Sequence, residues 1–192
     1  MKNVELHLAE TGALLSGHFR LSSGLHSPQY VQCARLLEEP ARADELGERL
    51  AALIAPMRPD RIVAPALGGL IIGFTTARSL GLPMIFTERK EGAMSLRRGF
   101  EVRRGERVVI VEDVVTTGKS TAETAAVVRL LGAEVVGYGS ILSRSGRDNP
   151  FEEPYVYLMK LEIETWPEDR CPLCARGVSV DAPGSRFGEE RV

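Results

Sequence analysis

Short, nearly continuous apolar runs alternate along the chain with longer stretches in which apolar residues recur every three or four positions. The runs have the length and the β-branched content of strands covered on both faces, and the periodic stretches have the apolar stripe of amphipathic helices. Strands are predicted at residues 61–65, 82–87, 108–111, 134–143 and 155–163, the last at a sheet edge, and helices at residues 2–16, 40–55 and from 122 onwards. This alternation predicts an α/β fold with a mostly parallel central sheet flanked by helices.

A different pattern near the N-terminus predicts a small hairpin. The first predicted helix stops at Gly17. Apolar residues then alternate with polar ones around Phe19 and again around Tyr30, with a turn that contains serine and glycine between them. Two short strands joined by this turn are expected to form a hood at about residues 18–36.

The composition is that of one globular domain with small appendages. Of the 192 residues, 44% are hydrophobic and 26% are charged, so a packed core is expected. The net charge of −2 gives no nucleic-acid or membrane signature, so neither partner is predicted. A polyanionic substrate would have to be held by local donors.

The N-terminus and the cysteines bear on the cellular location and on metal binding. The first ten residues, MKNVELHLAE, lack the apolar core of a signal peptide, which favours a cytoplasmic location. The three cysteines do not make a disulfide framework. Cys171 and Cys174 have the spacing of half a zinc site. No second pair is present and His7, His18 and His26 are far away in the sequence, so structural zinc is not favoured.

Residues 107–121, RVVIVEDVVTTGKST, combine the features of a ligand site. A buried strand leads into two acids, Glu112 and Asp113, and then into Val114 and Val115. A hydroxyl-rich turn follows and opens a helix; it consists of Thr116, Thr117, Gly118, Lys119 and Ser120. Open α/β sheets bind ligands at the carboxyl ends of their strands, and unpaired N–H groups at a helix start attract anions. The turn is therefore predicted to bind a phosphate, and the acids to bind sugar hydroxyls or to reach a substrate-held magnesium ion.

Two other phosphate motifs are excluded by their spacing. The residues GKST at 118–121 match the second half of a P-loop, but Asp113 stands where its first glycine is required. The residues GGLIIG at 68–73 lack the G-x-G spacing of the dinucleotide fingerprint. A buried strand before a polar turn also occurs in most α/β proteins, and the paired acids are what favour a ribose phosphate site here.

The stretch VVIVEDVVTTGKST resembles the phosphoribosyl diphosphate (PRPP) signature of the type I phosphoribosyltransferases. The resemblance implies the fold of that family and assigns PRPP binding to the two acids, the two valines and the turn. It also places Gly68 and Gly69 in a pyrophosphate loop, where adjacent glycines let the backbone approach a ligand closely. Relatives often have a lysine at the position of Gly69, and glycines at a strand–helix junction can also serve tight packing alone.

The segment FRLSSGLHSP is similar to the N-terminal segment of the orotate phosphoribosyltransferases. This likeness implies that Tyr30 and Val31 pack on the pyrimidine and that Thr116 also contacts it. It further implies that Arg144 binds the carboxylate of orotate, because a fixed guanidinium can form two parallel hydrogen bonds to a planar carboxylate. Ser22 stands where most relatives carry a lysine. A surface hairpin and a surface arginine are the alternatives that the residues alone leave open.

The composition of residues 88–99 predicts a mobile loop over the site. The segment is polar, contains glycine and carries several cations, as a lid over a polyphosphate requires. In the orotate phosphoribosyltransferases the corresponding loop crosses a dimer interface. The resemblance thus implies a homodimer in which Arg89 and Lys90 reach the neighbouring site and act with its Asp113. Ala93 and Ser95 replace a lysine and a histidine of many relatives, and a solvated charged loop is the alternative.

The resemblance also implies the reaction and the domain limits. It implies Mg²⁺-dependent transfer of the 5-phosphoribosyl group from PRPP to orotate, with the ion held mainly by PRPP. A catalytic domain is expected at residues 1–165. Residues 166–192 would be an extension like that of a thermophile-type branch of the orotate enzymes. A phosphoribosyltransferase for a purine or for uracil, and a PRPP-sensing regulator with the same fold, remain open as alternatives.

Overall fold

A six-stranded sheet forms the centre of the protein in the computed structural model, which describes residues 3–21 and 23–183. In chain order the elements are α1 (Val4–Thr11), β1 (Leu14–Arg20), β2 (His26–Val31), α2 (Cys33–Leu36), α3 (Pro40–Ile54), β3 (Arg61–Pro65), α4 (Gly69–Leu80), β4 (Met84–Lys90), β5 (Ala93–Leu96), β6 (Arg107–Val115), α5 (Lys119–Leu130), β7 (Glu134–Ser143), β8 (Tyr155–Lys160) and α6 (Pro172–Ala175). The strand order is β5-β4-β3-β6-β7-β8, and only β5 runs antiparallel to its neighbour. The predicted mostly parallel sheet is confirmed.

Strand β6 lies inside the sheet because its apolar residues are buried on both faces. Val109 and Val111 belong to one core, which contains the buried faces of α3 and α4. Val108 and Ile110 belong to a second core, which contains the buried face of α5. Successive side chains of a strand point to opposite faces, so a continuous apolar run fits a strand covered by helices on both sides. Only the carboxyl end of β6 is left to face a ligand.

Several predicted elements agree closely with the structure. The predicted strands at residues 61–65 and 134–143 have the bounds of β3 and β7, and α3 ends one residue before the prediction. Strand β8 lies at the sheet edge, as predicted. Strand β6 continues to Val115, so the two acids lie within the strand and the turn begins after it.

The predicted helix at residues 2–16 is wrong in its second half. Helix α1 ends at Thr11 because Gly12 adopts a left-handed conformation, with φ of 59°, and caps the last turn. Leu14 and Leu15 instead pair with the second strand of the hood, and Gly17 lies inside β1. The hood is the two-stranded antiparallel sheet β1–β2, as the alternation predicted.

The predicted loop at residues 88–99 is largely a β-hairpin. Strand β4 runs to Lys90 and pairs with β5 across a two-residue turn. Glu91 and Gly92 both have positive φ, at 52° and 85°, which is the conformation of a tight hairpin turn. The sequence pattern hid this pairing because the end of β4 is charged and β5 is a strand of only four residues at the sheet edge.

The C-terminal segment, defined here as residues 164–183, docks on the hood. The backbones of Trp166 and His26 exchange two hydrogen bonds, at 2.8 and 2.9 Å, and Asp181 makes two more with β1. The limit at residue 165 stays a prediction, and residues 184–192 of the predicted extension lie outside the described residues, as does Ser22. Across the described ranges, no helix combines the length and the hydrophobicity needed to cross a bilayer.

Candidate active site

The acidic pair occupies the carboxyl end of β6, where the parallel sheet brings the strand ends together. Glu112 is buried, with 8% of its surface exposed, and Asp113 is partly buried. Glu112 Oε1 accepts a hydrogen bond from the Asp113 N–H at 3.2 Å, and Asp113 Oδ1 accepts one from the Val114 N–H at 2.7 Å. These bonds fix both carboxylates against the backbone of the strand.

Burial perturbs the protonation of both acids. It raises the pKa of Glu112 well above its ordinary value, and the neighbouring charge of Asp113 raises it further. Burial also raises the pKa of Asp113, although hydrogen bonds from the Glu112 side chain and the Val114 N–H act in the opposite direction. In the described part of the chain neither acid forms a salt bridge. Two such carboxylates are suited to bind a cation or sugar hydroxyls.

The hydroxyl-rich turn lines a cavity of about 480 Å³ directly beyond the acids. Its lining includes Glu112 and every predicted residue of the turn, namely Thr116, Thr117, Gly118, Lys119 and Ser120, together with Val114 and Val115. Gly118 has a φ of 73°, and a side chain there would collide with Phe151. Helix α5 begins at Lys119, so the residues whose N–H groups open the helix line this cavity. The turn therefore has the geometry of an anion site.

A second cavity of about 630 Å³ adjoins the first and extends under the hood. The two cavities share Ser23, Glu112, Val114, Thr116 and Ser120. The predicted base-binding residues Tyr30, Val31 and Arg144 line the second cavity, together with Asp113 and Gly68. The structure thus places the predicted phosphate site directly beside the predicted base site.

Gly68 and Gly69 lie against the acidic pair. A Cβ atom at Gly68 would be 2.7 Å from Asp113 Oδ1. A Cβ atom at Gly69 would be 2.8 Å from the carbonyl oxygen of Val111 and 3.3 Å from Glu112 Oε1. Close approach of this backbone to β6 therefore requires glycine at both positions. The lysine that many relatives carry at position 69 has no room in this backbone arrangement.

Arg144 is the cation of the second cavity. Its backbone N–H donates to the Val115 carbonyl at 2.8 Å, which fixes the residue beside the end of β6. Burial lowers the pKa of its guanidinium, and Nε is buried without a hydrogen-bond partner in the described structure. An unpaired, partly buried guanidinium is a suitable site for a carboxylate. Tyr30, across the cavity, packs on Phe19 with ring centroids 5.8 Å apart.

Arg89 and Lys90 do not lie with the other predicted site residues. Neither lines the two cavities described above. Arg89 forms an ion pair with Glu123 on α5, and Lys90 Nζ lies 3.8 Å from a carboxylate oxygen of Glu91. Within one subunit the structure therefore brings together the acids, the turn, the glycines, the hood residues and Arg144, and leaves the lid pair outside.

Some lining residues were not predicted from the sequence. Cys33 lies in the second cavity because α2 begins directly after the hood strand, and burial raises the pKa of its thiol well above the ordinary value. Pro183 reaches the same cavity from the C-terminal segment. Cys33 is two residues after Val31, and residues at this spacing lie on the same face of a strand. This spacing was the signal available in the sequence. No local pattern indicated Pro183.

The chain matches the phosphoribosyl transferase domain family over residues 32–169. It is 48% identical to the orotate phosphoribosyltransferase of Thermotoga maritima over 179 residues, which cover 93% of this chain and 96% of that protein. It is 46% identical to the orotate phosphoribosyltransferase of Chlorobium phaeobacteroides, with 92% and 91% covered. The crystal structure of the Aeropyrum pernix orotate phosphoribosyltransferase superposes with a TM-score of 0.64 at 28% identity, over 80% of this chain and 91% of that one.

Replacing Glu112 by glutamine should stabilise the ligand-free protein in a pH-dependent way. Because folding raises the pKa of Glu112, its stabilising contribution is complete below the ordinary value of 4.5 and is lost as the pH rises through the folded-state pKa. Glutamine stays neutral, so Glu112→Gln should raise Tm near neutral pH, by roughly 2–4 °C for each kcal/mol of relieved desolvation and repulsion. The gain should vanish at acidic pH.

Thermal denaturation at a series of pH values checks this expectation. Glu101→Gln is the matched control, because Glu101 is exposed and should show no pH-dependent gain. An equal effect of Glu112→Gln at acidic and neutral pH would show that charge burial is not the cause.

Proposed function

The chain belongs to the phosphoribosyltransferase family and, within it, to the orotate phosphoribosyltransferases, and we propose that it transfers the 5-phosphoribosyl group of PRPP to N1 of orotate. The products are orotidine 5′-monophosphate and pyrophosphate, as in de novo pyrimidine biosynthesis. One observation supports this assignment above the others. The acid-and-turn cavity shares five lining residues with the cavity of Tyr30 and Arg144, so a sugar phosphate and a carboxylated base would lie side by side.

The transfer breaks the bond between C1 of the ribose and the pyrophosphate oxygen, and forms a bond from C1 to N1. The departing pyrophosphate takes the bonding electron pair, and the sugar ring carries positive charge in the transition state. As the bond from C1 to N1 forms, N1 of orotate loses its hydrogen as a proton, which passes to the departing pyrophosphate or to solvent. N1 is acidic enough to need no strong protein base, and no nucleophilic side chain is required. The task of the site is to hold the two reactants and to stabilise these charges.

The acids and the turn are proposed to hold PRPP. The hydroxyls and N–H groups of residues 116–120 would bind the 5′-phosphate at the start of α5. Glu112 and Asp113 would accept hydrogen bonds from the ribose hydroxyls and keep C1 turned towards the second cavity. Gly68 and Gly69 would let the backbone approach the pyrophosphate. These roles fit carboxylates that have no cation partner in the described structure.

Mg²⁺ dependence is part of the proposal. The two carboxylates supply the hard oxygen donors that this ion prefers, and their raised pKa values fit a site that gains a cation with its substrate. The ion would be held mainly by PRPP and, when bound, would neutralise charge on the departing pyrophosphate.

A homodimer with a lid acting in trans is also proposed. Leu67, Ile71 and Phe74 expose 79%, 44% and 60% of their surface on and just before α4, and an apolar patch of this kind suits a subunit interface. Arg89 and Lys90 lie outside the cavities of their own subunit, which fits a role in the site of the partner. A cytoplasmic location stays a prediction.

Nucleotide formation tests the proposed function directly. Incubation with PRPP and Mg²⁺ should yield a nucleotide and pyrophosphate with orotate, and should yield none with uracil or with purine bases. Chromatography of the nucleotide and a coupled pyrophosphate assay give independent readouts. Product with a purine or uracil would select another phosphoribosyltransferase activity. PRPP binding without any product would identify a regulator.

Arg144→Ala should separate the two substrates. Losing a charge-assisted contact to the carboxylate should raise the KM for orotate by roughly 10- to 100-fold, while the KM for PRPP changes little. Steady-state kinetics with each substrate varied in turn measure the split. Arg147→Ala is the control, because Arg147 is exposed and lies outside both cavities. An equal loss for both substrates would contradict the orotate role.

Complementation between two inactive variants tests whether the lid residues of one subunit act in the site of its partner. Arg89→Ala and Asp113→Asn should each have little activity alone. When coexpressed with different tags, they should form mixed dimers in which one site carries both native residues, restoring roughly one quarter of the sites in a random mixture. Coexpressed Asp113→Asn and Arg144→Ala chains, assayed with orotate well below the raised KM of Arg144→Ala, are the control, because each change impairs the site of its own subunit and no site is left with all native residues. Equal activity in the two mixtures would argue against a shared site.

A further inference from the structure

Four metal-ligating side chains meet where the hood contacts the C-terminal segment. They form a group that we call the His–Cys cluster, consisting of His18, His26, Cys171 and Cys174. One nitrogen or sulfur atom from each lies within 4.8 Å of the others. His18, His26 and Cys171 are each at most 3% exposed, and Cys174 is half-buried. None of them lines either cavity of the active site.

The spacing of the His–Cys cluster is close to that of a tetrahedral zinc site. His18 Nε2 lies 3.5 Å from Cys171 Sγ and 3.7 Å from Cys174 Sγ, and His26 Nδ1 lies 3.2 Å from Cys174 Sγ. Zinc bonds of about 2.3 Å to sulfur and about 2.0–2.1 Å to nitrogen place the ligands of a tetrahedral ion about 3.3–3.8 Å apart. The two ring nitrogens, 2.8 Å apart, would separate by about 0.5 Å.

A backbone contact orients one of the two imidazoles for metal binding. His18 Nδ1 lies 2.8 Å from the carbonyl oxygen of Val178. An N–H on Nδ1 would donate to this carbonyl and leave the lone pair of Nε2 directed at the cysteines. Zinc-binding histidines are commonly held in this way by a hydrogen bond from the other ring nitrogen. His26 presents Nδ1 to the cluster, and its Nε2 is buried without a described partner.

We propose that the His–Cys cluster binds one structural Zn²⁺ ion. Two thiolates and two imidazoles are a ligand set that selects zinc, and four protein ligands leave no open position for catalysis. Sequence analysis did not favour structural zinc, because the histidines are 148 to 156 positions away from the cysteines they contact. The fold removes this separation by docking the C-terminal segment on the hood.

The ion would link the hood to the C-terminal segment, and these two parts bury little apolar surface against each other. In the C-terminal segment, Cys171 and Leu173 are buried, whereas Val178 and Val180 expose 42% and 46% of their surface. Hydrogen bonds make further contacts to the hood strands: those of the Trp166 and Asp181 backbones, that of Ser27 with the Glu164 carbonyl and that of His18 with the Val178 carbonyl. A zinc ion would join β1, β2 and α6 at one point and hold the hood in place from outside the substrate cavity.

Metal analysis of the full-length protein tests the proposal without any substrate. The protein should be purified without a histidine tag, under reducing conditions, and its metals measured by mass spectrometry. We expect one zinc ion per chain, released when a mercurial reagent blocks the thiols. The zinc-free protein should bind one cobalt ion with the absorption bands of tetrahedral thiolate coordination. Tm should fall on zinc removal and recover when zinc is returned.

Paired cysteine variants locate the ion. Cys174→Ser should retain less than about a tenth of an equivalent of zinc after dialysis against a chelator. Cys33→Ser is the matched control, because Cys33 is also a free cysteine but lies outside the His–Cys cluster, and it should keep the full equivalent. The cobalt spectrum of the unmodified chain gives the same information if Cys174→Ser fails to fold.

Four results would overturn the proposal. The first is a reduced protein that binds neither zinc nor cobalt stoichiometrically. The second is equal metal loss in Cys33→Ser and Cys174→Ser. The third is a metal-free protein with a Cys171–Cys174 disulfide, in which one of the three thiols is titratable after denaturation without a reducing agent. The fourth is one equivalent of iron in place of zinc, which would show that the bound ion is not zinc.

Discussion

The burial of two carboxylates at the end of β6 is the constraint on which the active site depends. Each acid faces one glycine of the loop before α4, Asp113 facing Gly68 and Glu112 facing Gly69. Side chains at the glycine positions would collide with the acids or with β6. The position of the two acids therefore requires glycine at residues 68 and 69. Desolvated carboxylates destabilise a ligand-free protein, and the apolar run of β6, buried in both cores, offsets that cost.

Close approach of this backbone also explains why the site has few cations. Lys119 is the cation among the lining residues of the first cavity, and Arg144 is that of the second. A lysine at position 69 would not fit against Val111 and Glu112. Ala93 lies exposed on β5, and Ser95 donates to the Glu88 carbonyl within the lid hairpin. In the proposed function, the binding of phosphate therefore depends largely on backbone N–H groups at the start of α5.

Predictions from the sequence succeeded where a short stretch of residues allowed only one structural interpretation. The continuous apolar runs gave β3 and β7 with their bounds, and the acid-and-turn pattern placed the residues that line the first cavity. The same reasoning failed at α1, because the pattern does not reveal that Gly12 adopts a positive φ and ends the helix before the predicted stop at Gly17. It also missed the pairing of β4 with β5 within residues 88–99, where Glu88 binds Arg97 and Arg98 across the hairpin.

The largest failure concerned groups that only the tertiary structure brings together. The hood is a two-stranded sheet that does not join the central sheet by strand pairing, and two strands alone are marginally stable. Tyr30 and Val31 of this sheet line the second cavity together with Arg144, so the proposed base site depends on the position of the hood. A support is needed on the outer side of the hood, and the C-terminal segment occupies that side while Pro183 reaches the cavity itself. The His–Cys cluster lies at this junction, so a bound ion would act on base selection through the position of β2, without touching the substrate.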